Sequence, residues 1–292
     1  MANQLRTISI SILIILIISG FAADSGQALD LWKWQSYQTD HFEVFFPDGY
    51  QSQAVETLYY LEKYRAEVAE LTGNSLDYQM HLTLEDIGLF TNGYANPVFN
   101  KLGIFTNNPA SLAGRANYEN WLSRLGIHEL THMGHLQNIS GGSEITTKIF
   151  GDLMAPNIHS PLWLIEGLAV YQESQLSPAA GRLNGGHYRW FAARAAAEGR
   201  LPELAEIIYN YNYFPAGQQY LYGAVFIDYL AQEYGEAKFA ELFNTYGSYY
   251  WAAVTGNFLP GIGLDKAAKE VYGRSFPELY QDFKESLTAE NR

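Results

Sequence analysis

The chain has 292 residues, of which 48% are hydrophobic and 17% charged, so it is long enough to bury the core of one large domain or two small ones. Its formal net charge is −13 without a long run of Lys and Arg, which argues against binding to nucleic acid or to an anionic membrane surface. Because the sequence contains no cysteine, disulfides, thiolate metal ligands and a cysteine nucleophile are excluded. Any bound metal would be held by His and carboxylate side chains.

The N-terminus has the pattern of an export signal. Arg6 precedes an apolar run over 8–18, and small residues follow, with cleavage predicted after Ala22 or Ala28. The alternative is an uncleaved anchor, but a run of about 11 apolar residues is shorter than the roughly 20 that a spanning helix needs. We therefore predict an exported protein, periplasmic or extracellular, whose mature chain is 29–292 and has no stable membrane span.

The next segment predicts a small sheet with a helix packed on one face. Residues favourable to strands over His41–Pro47 and alternation over Tyr78–Leu84 indicate two strands, and Gln51–Leu71 between them carries apolar residues at helical spacing. Lys101–Thr106 is short and polar at its ends, which is typical of an edge strand. Such an edge would bind an extended peptide through main-chain hydrogen bonds, and further contacts are predicted from Gly93, Tyr94, Ala95 and Asn96.

A longer helix is predicted from near Asn117 to Ser140–Gly142, and it contains the sequence HELTH at residues 128–132. Residues four apart lie on one face of a helix, so His128 and His132 can offer two imidazole nitrogens to one metal ion. Glu129 lies about 100° round the helix from His128, which directs its carboxylate to the side where a water would bind. The motif therefore indicates half of a zinc site together with a general base.

A zinc site of this kind needs a third protein ligand. His135 lies on nearly the same helix face, but three ligands on one straight helix rarely converge on a metal, so the alternative is a hydrogen-bonded histidine beside the site or on the surface. Glu166 is the stronger candidate, because it lies among apolar residues of a predicted helix, Pro161–Glu173, where an unpaired charge would be costly. A structural ion pair is the alternative for Glu166. Ser160 would cap this helix, and Gly167 would let a neighbouring backbone approach closely.

The remaining chain is predicted to be mostly helical. A linker rich in Gly, Ser, Thr and Asn runs to His159, and helices separated by Gly, Pro or Asn follow from Asn184 onward. These predicted helices are His187–Glu198, Gln219–Glu233, Ala237–Thr245, Asp265–Val271 and Phe276–Leu287. The predicted fold class is α+β, with a mostly β lobe over 29–110 and a mostly α lobe over 111–292 of one catalytic domain.

The pair HELTH and WLIEGLAVY resembles the gluzincin metallopeptidases, specifically the peptidase MA-like domains related to aminopeptidase N. The resemblance covers most of the mature chain and implies a thermolysin-like zincin fold. It implies one Zn²⁺ ion held by His128, His132 and Glu166, with Glu129 as the general base that activates a zinc-bound water for peptide-bond hydrolysis.

The resemblance extends to two residues whose roles follow from it alone. Glu173 matches a carboxylate that supports a histidine ligand in such enzymes, and the alternative is a solvated helix residue. Tyr220 matches the tyrosine of a Tyr-x-x-Gly element that stabilises the oxyanion, and the alternatives are a packing role or the same role for Tyr222.

The sequence also departs from the aminopeptidase pattern. Aminopeptidases of this group carry a glutamate that binds the free amine of the substrate, whereas the corresponding region here, 93–96, contains no acid. The interval between His132 and Glu166 is also longer than in aminopeptidase N. Two alternatives to a peptidase stay open, namely a zinc hydrolase of the same fold acting on a non-peptide amide or ester, and a non-catalytic exported binding protein. The intact Glu129 counts against the binding protein.

Overall fold

The computed structural model describes residues 33–88, 90–107, 121–176, 178, 180–207, 215–255 and 263–290. This part of the chain is an α+β fold, with a small mixed sheet in its N-terminal part and mostly helices in its C-terminal part. The predicted export signal over 1–28 and the predicted helix start near Asn117 lie outside the described residues. Within the described ranges, no helix is both long and apolar enough to cross a membrane.

The sheet has five strands in the order β1-β2-β3-β5-β4. The pairs β2/β3 and β3/β5 are parallel, whereas β1/β2 and β4/β5 are antiparallel. The predicted strands at His41–Pro47 and Tyr78–Leu84 are present as β2 and β3 within one or two residues at each end. The bounds are Trp34–Gln38 for β1, Phe42–Pro47 for β2, Met80–Glu85 for β3, Gly93–Asn96 for β4 and Lys101–Phe105 for β5.

The prediction that Lys101–Thr106 forms the edge strand is wrong. This segment is β5, which lies between β3 and β4, so among the described strands the edge on this side of the sheet is Gly93–Asn96. The polar ends of the segment suggested exposure, but its three central residues, Leu102 to Ile104, are all buried, as is typical of an interior strand. Gly103 is covered by the ring of Tyr94 from the neighbouring edge strand, and no side chain larger than hydrogen would fit beneath that ring.

Ten helices accompany the sheet in the described part of the chain. They are α1 (Gln51–Thr72), α2 (Trp121–Leu136), α3 (Ser143–Phe150), α4 (Leu162–Gln175), α5 (His187–Ala197), α6 (Gln218–Tyr234), α7 (Ala237–Gly247), α8 (Ala252–Thr255), α9 (Leu264–Tyr272) and α10 (Phe276–Glu290). Helices α1 and α2 pack together on one face of the sheet, where Val44, Leu82 and Ile104 meet Leu61 and Leu130 in a first core.

A second core holds the helical part together, and α4 and α6 lie at its centre. Trp163 of α4 and Phe226 of α6 pack against aromatic side chains of α10. Glycines lie at the crossing point of the two helices. A Cβ atom on Gly167 would come within 2.5 Å of the backbone of Gly223, so the helices could not approach this closely with a larger residue. This contact confirms the expectation that Gly167 admits a close backbone neighbour, and it brings Glu166 and Tyr220 to the same side of the molecule.

The structure corrects the sequence prediction for 137–159. Helix α2 ends at Leu136 and not at the glycines, because Asn138 leaves the helix and donates from Nδ2 to the carbonyl oxygen of Thr72 at 2.8 Å. The predicted linker contains helix α3 and two short 3₁₀ turns. Helix α3 was not predicted because its β-branched residues disfavour a helix in isolation and because its buried face is formed by two polar residues, Ser143 and Thr147.

Candidate metal centre

Three side chains from helices α2 and α4 converge on one point. The Nε2 atoms of His128 and His132 lie 3.3 Å and 3.4 Å from Oε2 of Glu166. One ligand atom from each of the three residues lies within 4.8 Å of the other two. The two histidines share a face of α2 because they are four residues apart, and α4 packs against that helix and supplies the carboxylate.

These residues fit a divalent metal ion. Oε2 of Glu166 is buried, and it has no hydrogen-bond partner of acceptable geometry among the described residues. A buried carboxylate oxygen in this condition is costly, and a cation among the three atoms would relieve that cost. Two imidazoles and one carboxylate are also a ligand set that zinc adopts in hydrolases, with one position left open.

The electrostatics of the metal-free site favour a cation. Burial opposes protonation of His128, but its close contacts with the carboxylates of Glu166 and then Glu173 outweigh burial and raise the pKa of His128 to about 9. Burial likewise opposes ionisation of Glu166, yet the attraction of the two histidine rings next to it holds the pKa of this carboxyl well below its usual range. The site therefore attracts positive charge, which a metal ion can supply in place of the proton.

Glu129 lies beside this cluster and close to the edge strand. Its side chain is 4% exposed, and burial raises the pKa of its carboxyl. A Cβ atom on Gly93 would come within 2.7 Å of Oε1 of Glu129, so the backbone of β4 lies directly against this carboxylate. A raised pKa and a position between the cluster and a free strand edge suit a group that accepts and releases a proton.

Behind His128 lies a second layer of charged groups. Oε2 of Glu173 is 3.2 Å from Nδ1 of His128, and Glu173 is 1% exposed, which excludes the alternative of a solvated residue. Arg182 contacts both oxygens of this carboxylate from Nε and Nη2, each at 2.8 Å. The coulombic attraction of Arg182 and the hydrogen bond from His128 overcome burial and hold the pKa of Glu173 well below its usual range. No sequence pattern indicates a role for Arg182, because this residue follows α4 in a segment without periodicity.

The cluster opens into a cleft of about 520 Å³. Of the four residues predicted to bind substrate, Gly93, Tyr94 and Ala95 line this cleft. Asn96 is not among its lining residues, and the side-chain oxygen of Asn96 accepts a hydrogen bond from the backbone N–H of Phe99 and caps a 3₁₀ turn. A cavity of about 510 Å³ lies between α5 and α10, but it is remote from the one His and carboxylate group that could hold a metal in the described part.

The structure separates the two candidate tyrosines. Tyr220 lines the cleft, and its ring is inclined by 30° to that of His128 with centroids 6.3 Å apart. The guanidinium carbon of Arg182 lies 5.0 Å from the centroid of the same ring. Tyr222 is 3% exposed and belongs to the helical core. Of the two, Tyr220 is therefore the one whose position suits contact with a substrate.

His135 lies outside the ligand cluster. Its Nε2 atom is 3.1 Å from Oγ of Ser160, and its ring packs on Phe243 with centroids 4.1 Å apart. Burial lowers the pKa of His135 to about 3, so the ring stays neutral. The hydrogen-bonded alternative is therefore the observed one. Ser160 was predicted to cap α4, but its hydroxyl contacts His135, and Pro161 occupies the cap position without a side-chain hydrogen bond.

Comparison with known proteins gives little further support. No protein family profile and no curated protein sequence matches this chain. Among solved structures, the chain is similar to a variant of a two-domain M1 zinc metallopeptidase bound to the amino acid L-tryptophan, with 15% sequence identity and a TM-score of 0.45. The match covers 88% of this chain and 51% of the other, so this chain spans about half the length of that protein. A likeness this weak says nothing about activity, and the functional conclusion rests on the residues described above.

Proposed function

We propose that this protein is an exported zinc metallopeptidase that hydrolyses peptide bonds. The observation that carries the proposal is the convergence of His128, His132 and Glu166 on one point, with Glu129 beside them at an open cleft. Export is supported by the N-terminal sequence pattern alone.

The three ligands would hold one zinc ion, which would polarise a substrate carbonyl and lower the pKa of a water from about 15.7 towards roughly 7. Glu129 takes the proton of the attacking water and passes it to the leaving amine. Its raised pKa makes the carboxyl a better base than an exposed glutamate would be. The hydroxyl of Tyr220 is the group we assign to hydrogen bonding with the carbonyl oxygen as negative charge develops there.

The outer edge of β4, which pairs with no other described strand, supports a peptide as the substrate. The backbone N–H of Phe105 donates to the carbonyl oxygen of Asn92, so these two residues form a hydrogen-bonded pair just outside the β4/β5 ladder. Hydrogen-bonded and non-hydrogen-bonded pairs alternate along an antiparallel ladder, so Gly93 and Ala95 belong to non-hydrogen-bonded pairs. The backbone N–H and C=O groups of Gly93 and Ala95 therefore point away from β5 and towards the outer edge. An extended peptide can add to this edge through its backbone, whereas a small non-peptide ester would not use it.

The test of the proposal is zinc content and casein cleavage measured on the same purified proteins. We expect Glu129→Gln to keep about one zinc per chain and to lose activity by roughly 10²- to 10⁴-fold, because only the base is removed. Glu166→Ala should lose the zinc as well. The matched control is Glu67→Gln on the exposed face of α1, which should retain both zinc and activity.

Two results would contradict the proposal. Full casein cleavage by Glu129→Gln would show that this carboxylate is not the base. A wild-type protein that binds zinc and cleaves non-peptide esters but no peptide would identify a hydrolase of another substrate class.

A further inference from the structure

The segment that follows α4 doubles back along the last turn of that helix. The backbone N–H of Leu183 donates to Oγ of Ser174 at 3.2 Å, and Nδ2 of Asn184 donates to the carbonyl oxygen of Ser174 at 2.6 Å. Gly181 has a φ of +77°, and a Cβ atom there would overlap Ser174. This return places Arg182 directly over the Glu173 carboxylate, nine residues earlier in the chain.

Arg182 donates hydrogen bonds to that carboxylate from both its side chain and its backbone. Its side chain donates to both oxygens at 2.8 Å, and its own backbone N–H donates to Oε1 of Glu173 at 3.2 Å. A guanidinium fork on a carboxylate fixes the plane of the carboxylate as well as its charge. The orientation of Glu173, and not only its ionisation, is therefore set by Arg182.

We propose that Arg182 is a positioning residue that fixes Glu173 against His128, so that His128 presents Nε2 to the metal, and that the same guanidinium holds the ring of Tyr220. This inference rests on the proposed metal site. It adds a residue to that site and connects a proposed metal ligand, His128, with Tyr220.

The tautomer that metal binding through Nε2 requires of His128 supports the assignment. When Nε2 faces the ligand cluster with its lone pair, the proton of the neutral imidazole is on Nδ1. Nδ1 has two polar neighbours, Oε2 of Glu173 at 3.2 Å and Nη2 of Arg182 at 3.0 Å. A guanidinium has only donors, so Glu173 is the neighbour that accepts this proton. Arg182 thus acts on His128 through Glu173.

Tyr220 completes the arrangement. The centroid of its ring lies 5.0 Å from the guanidinium carbon of Arg182 and 6.3 Å from the centroid of the His128 ring. A cation over an aromatic face is attracted to it, and both side chains are partly buried at the wall of the cleft. Loss of the guanidinium should therefore disturb the metal ligand and the tyrosine together.

The first experiment measures Zn²⁺ affinity by competition with a chelator and records the visible spectrum of the Co²⁺-substituted protein. We expect Arg182→Gln to lower the Zn²⁺ affinity by about 10- to 100-fold, in the range typical of groups that orient metal ligands, and to change the Co²⁺ spectrum. Arg182→Lys keeps the charge but not the fork, so its affinity should lie between those of Arg182→Gln and the wild type.

The matched control is Arg65→Gln. Arg65 also holds down a loop, through the carbonyl oxygen of Ser75 at 2.9 Å and Oδ1 of Asp77 at 2.8 Å, but it lies outside the cleft. This variant should bind Zn²⁺ as the wild type does. Wild-type affinity and an unchanged Co²⁺ spectrum in Arg182→Gln would overturn the proposal. If Arg182→Gln does not fold, the comparison of Arg182→Lys with the wild type decides in the same way.

A double-mutant cycle tests whether Arg182 acts through Glu173. The double variant Arg182→Lys/Glu173→Gln should lose no more Zn²⁺ affinity than Glu173→Gln alone. Once the Glu173 carboxylate is gone, Arg182 has no further effect on His128 to lose. Additive losses would overturn the proposal. These measurements use metal binding and not hydrolysis, so a wild-type protein that binds Zn²⁺ without cleaving peptides would contradict the proposed function and leave this inference standing.

Discussion

Gly93 is the residue at which the sheet meets the proposed base. A Cβ atom there would lie 2.7 Å from Oε1 of Glu129 and about as close to the rest of its carboxyl group. Gly93→Ala should therefore displace Glu129 and lower kcat for casein by at least about tenfold, because a small misplacement of a catalytic group is costly. The zinc content, measured on the same sample, should not change.

The control for this substitution is Gly126→Ala on α2. A Cβ atom at Gly126 meets the flexible end of Leu61 at 3.3 Å, and alanine favours a helix more than glycine does. This variant should keep its kcat. Loss of zinc in Gly93→Ala would show instead that β4 supports the ligand cluster.

His135 makes the stability of the fold depend on pH. Burial lowers its pKa to about 3, whereas the unfolded chain has an ordinary value near 6.5. The unfolded state therefore binds one more proton between these values, so the contribution of the neutral ring is present above about pH 6.5 and is lost as the pH falls towards 3. The slope from this one group is at most about 1.4 kcal/mol per pH unit.

Urea unfolding of EDTA-treated protein at several pH values between about 6 and 4 tests this expectation. The free energy of unfolding should fall more steeply with pH in the wild type than in His135→Gln, which has no titratable group at this position. EDTA removes the separate effect of metal release. Parallel curves for the two proteins would contradict the assignment of the slope to His135.

Single residues differ in how far the sequence predicts their positions. The spacing of His128 and His132 depends on one helix, so their shared face follows from local geometry. Arg182 reaches the site through a loop that doubles back over α4, and no local pattern signals such a return. The side chain of Asn96 caps the 3₁₀ turn that follows it, which the sequence did not indicate, and its main-chain contact with substrate stays a prediction.

The position of the edge strand is where the structure differs most from the prediction at the level of helices and strands. A strand of about five residues carries little information on whether its neighbours are strands or solvent, and the apolar centre of β5 was too short to decide the question. The pairing of Gly93–Asn96 with β5 placed this segment at the rim and moved β5 inside. The predicted peptide-binding edge therefore shifts by one strand, onto residues that directly line the cleft.

Ala95→Pro tests the role of this edge. The N–H of Ala95 points away from β5, so proline would remove a donor to the substrate and leave the ladder bonds in place. We expect KM for a casein-derived peptide to rise by about tenfold, which corresponds to the loss of one hydrogen bond, with the zinc content unchanged.

The chain offers a matched control at the opposite edge of the sheet. The flanking pairs Lys33/Asp48 and Thr39/Phe42 are hydrogen-bonded, so Ser36 of β1 belongs to a non-hydrogen-bonded pair. The N–H of Ser36 therefore also points away from the neighbouring strand. Ser36→Pro should leave KM unchanged. Equal effects of the two substitutions would indicate a general loss of sheet stability and no binding at β4.

At the scale of the whole molecule, the proposed metal links two helices that belong to different cores. His128 and His132 lie on α2, whose apolar side chains pack under the sheet, whereas Glu166 lies on α4 in the helical core. A ligand that binds only the folded chain stabilises it by about 2.7 kcal/mol at a concentration 100 times its dissociation constant. Zinc should therefore raise Tm, and EDTA should lower it.

Thermal unfolding followed by circular dichroism checks this expectation. The rise in Tm on adding Zn²⁺ should be absent in Glu166→Ala and retained in Glu129→Gln, because only the first variant lacks a ligand. An equal rise in Tm for Glu166→Ala would place the stabilising ion elsewhere in the protein.

The sequence by itself determined the α+β class, most of the helix bounds and the pairing of HELTH with a glutamate on a later helix. These features depend on local spacing, on apolar periodicity and on the cost of burying a lone carboxylate. The tertiary structure alone decided which strand is the edge, which tyrosine faces the cleft and that Arg182 stands behind Glu173. Those relations join residues through β-ladder pairing, a glycine crossing and a returning loop, and such contacts arise only when distant segments pack together.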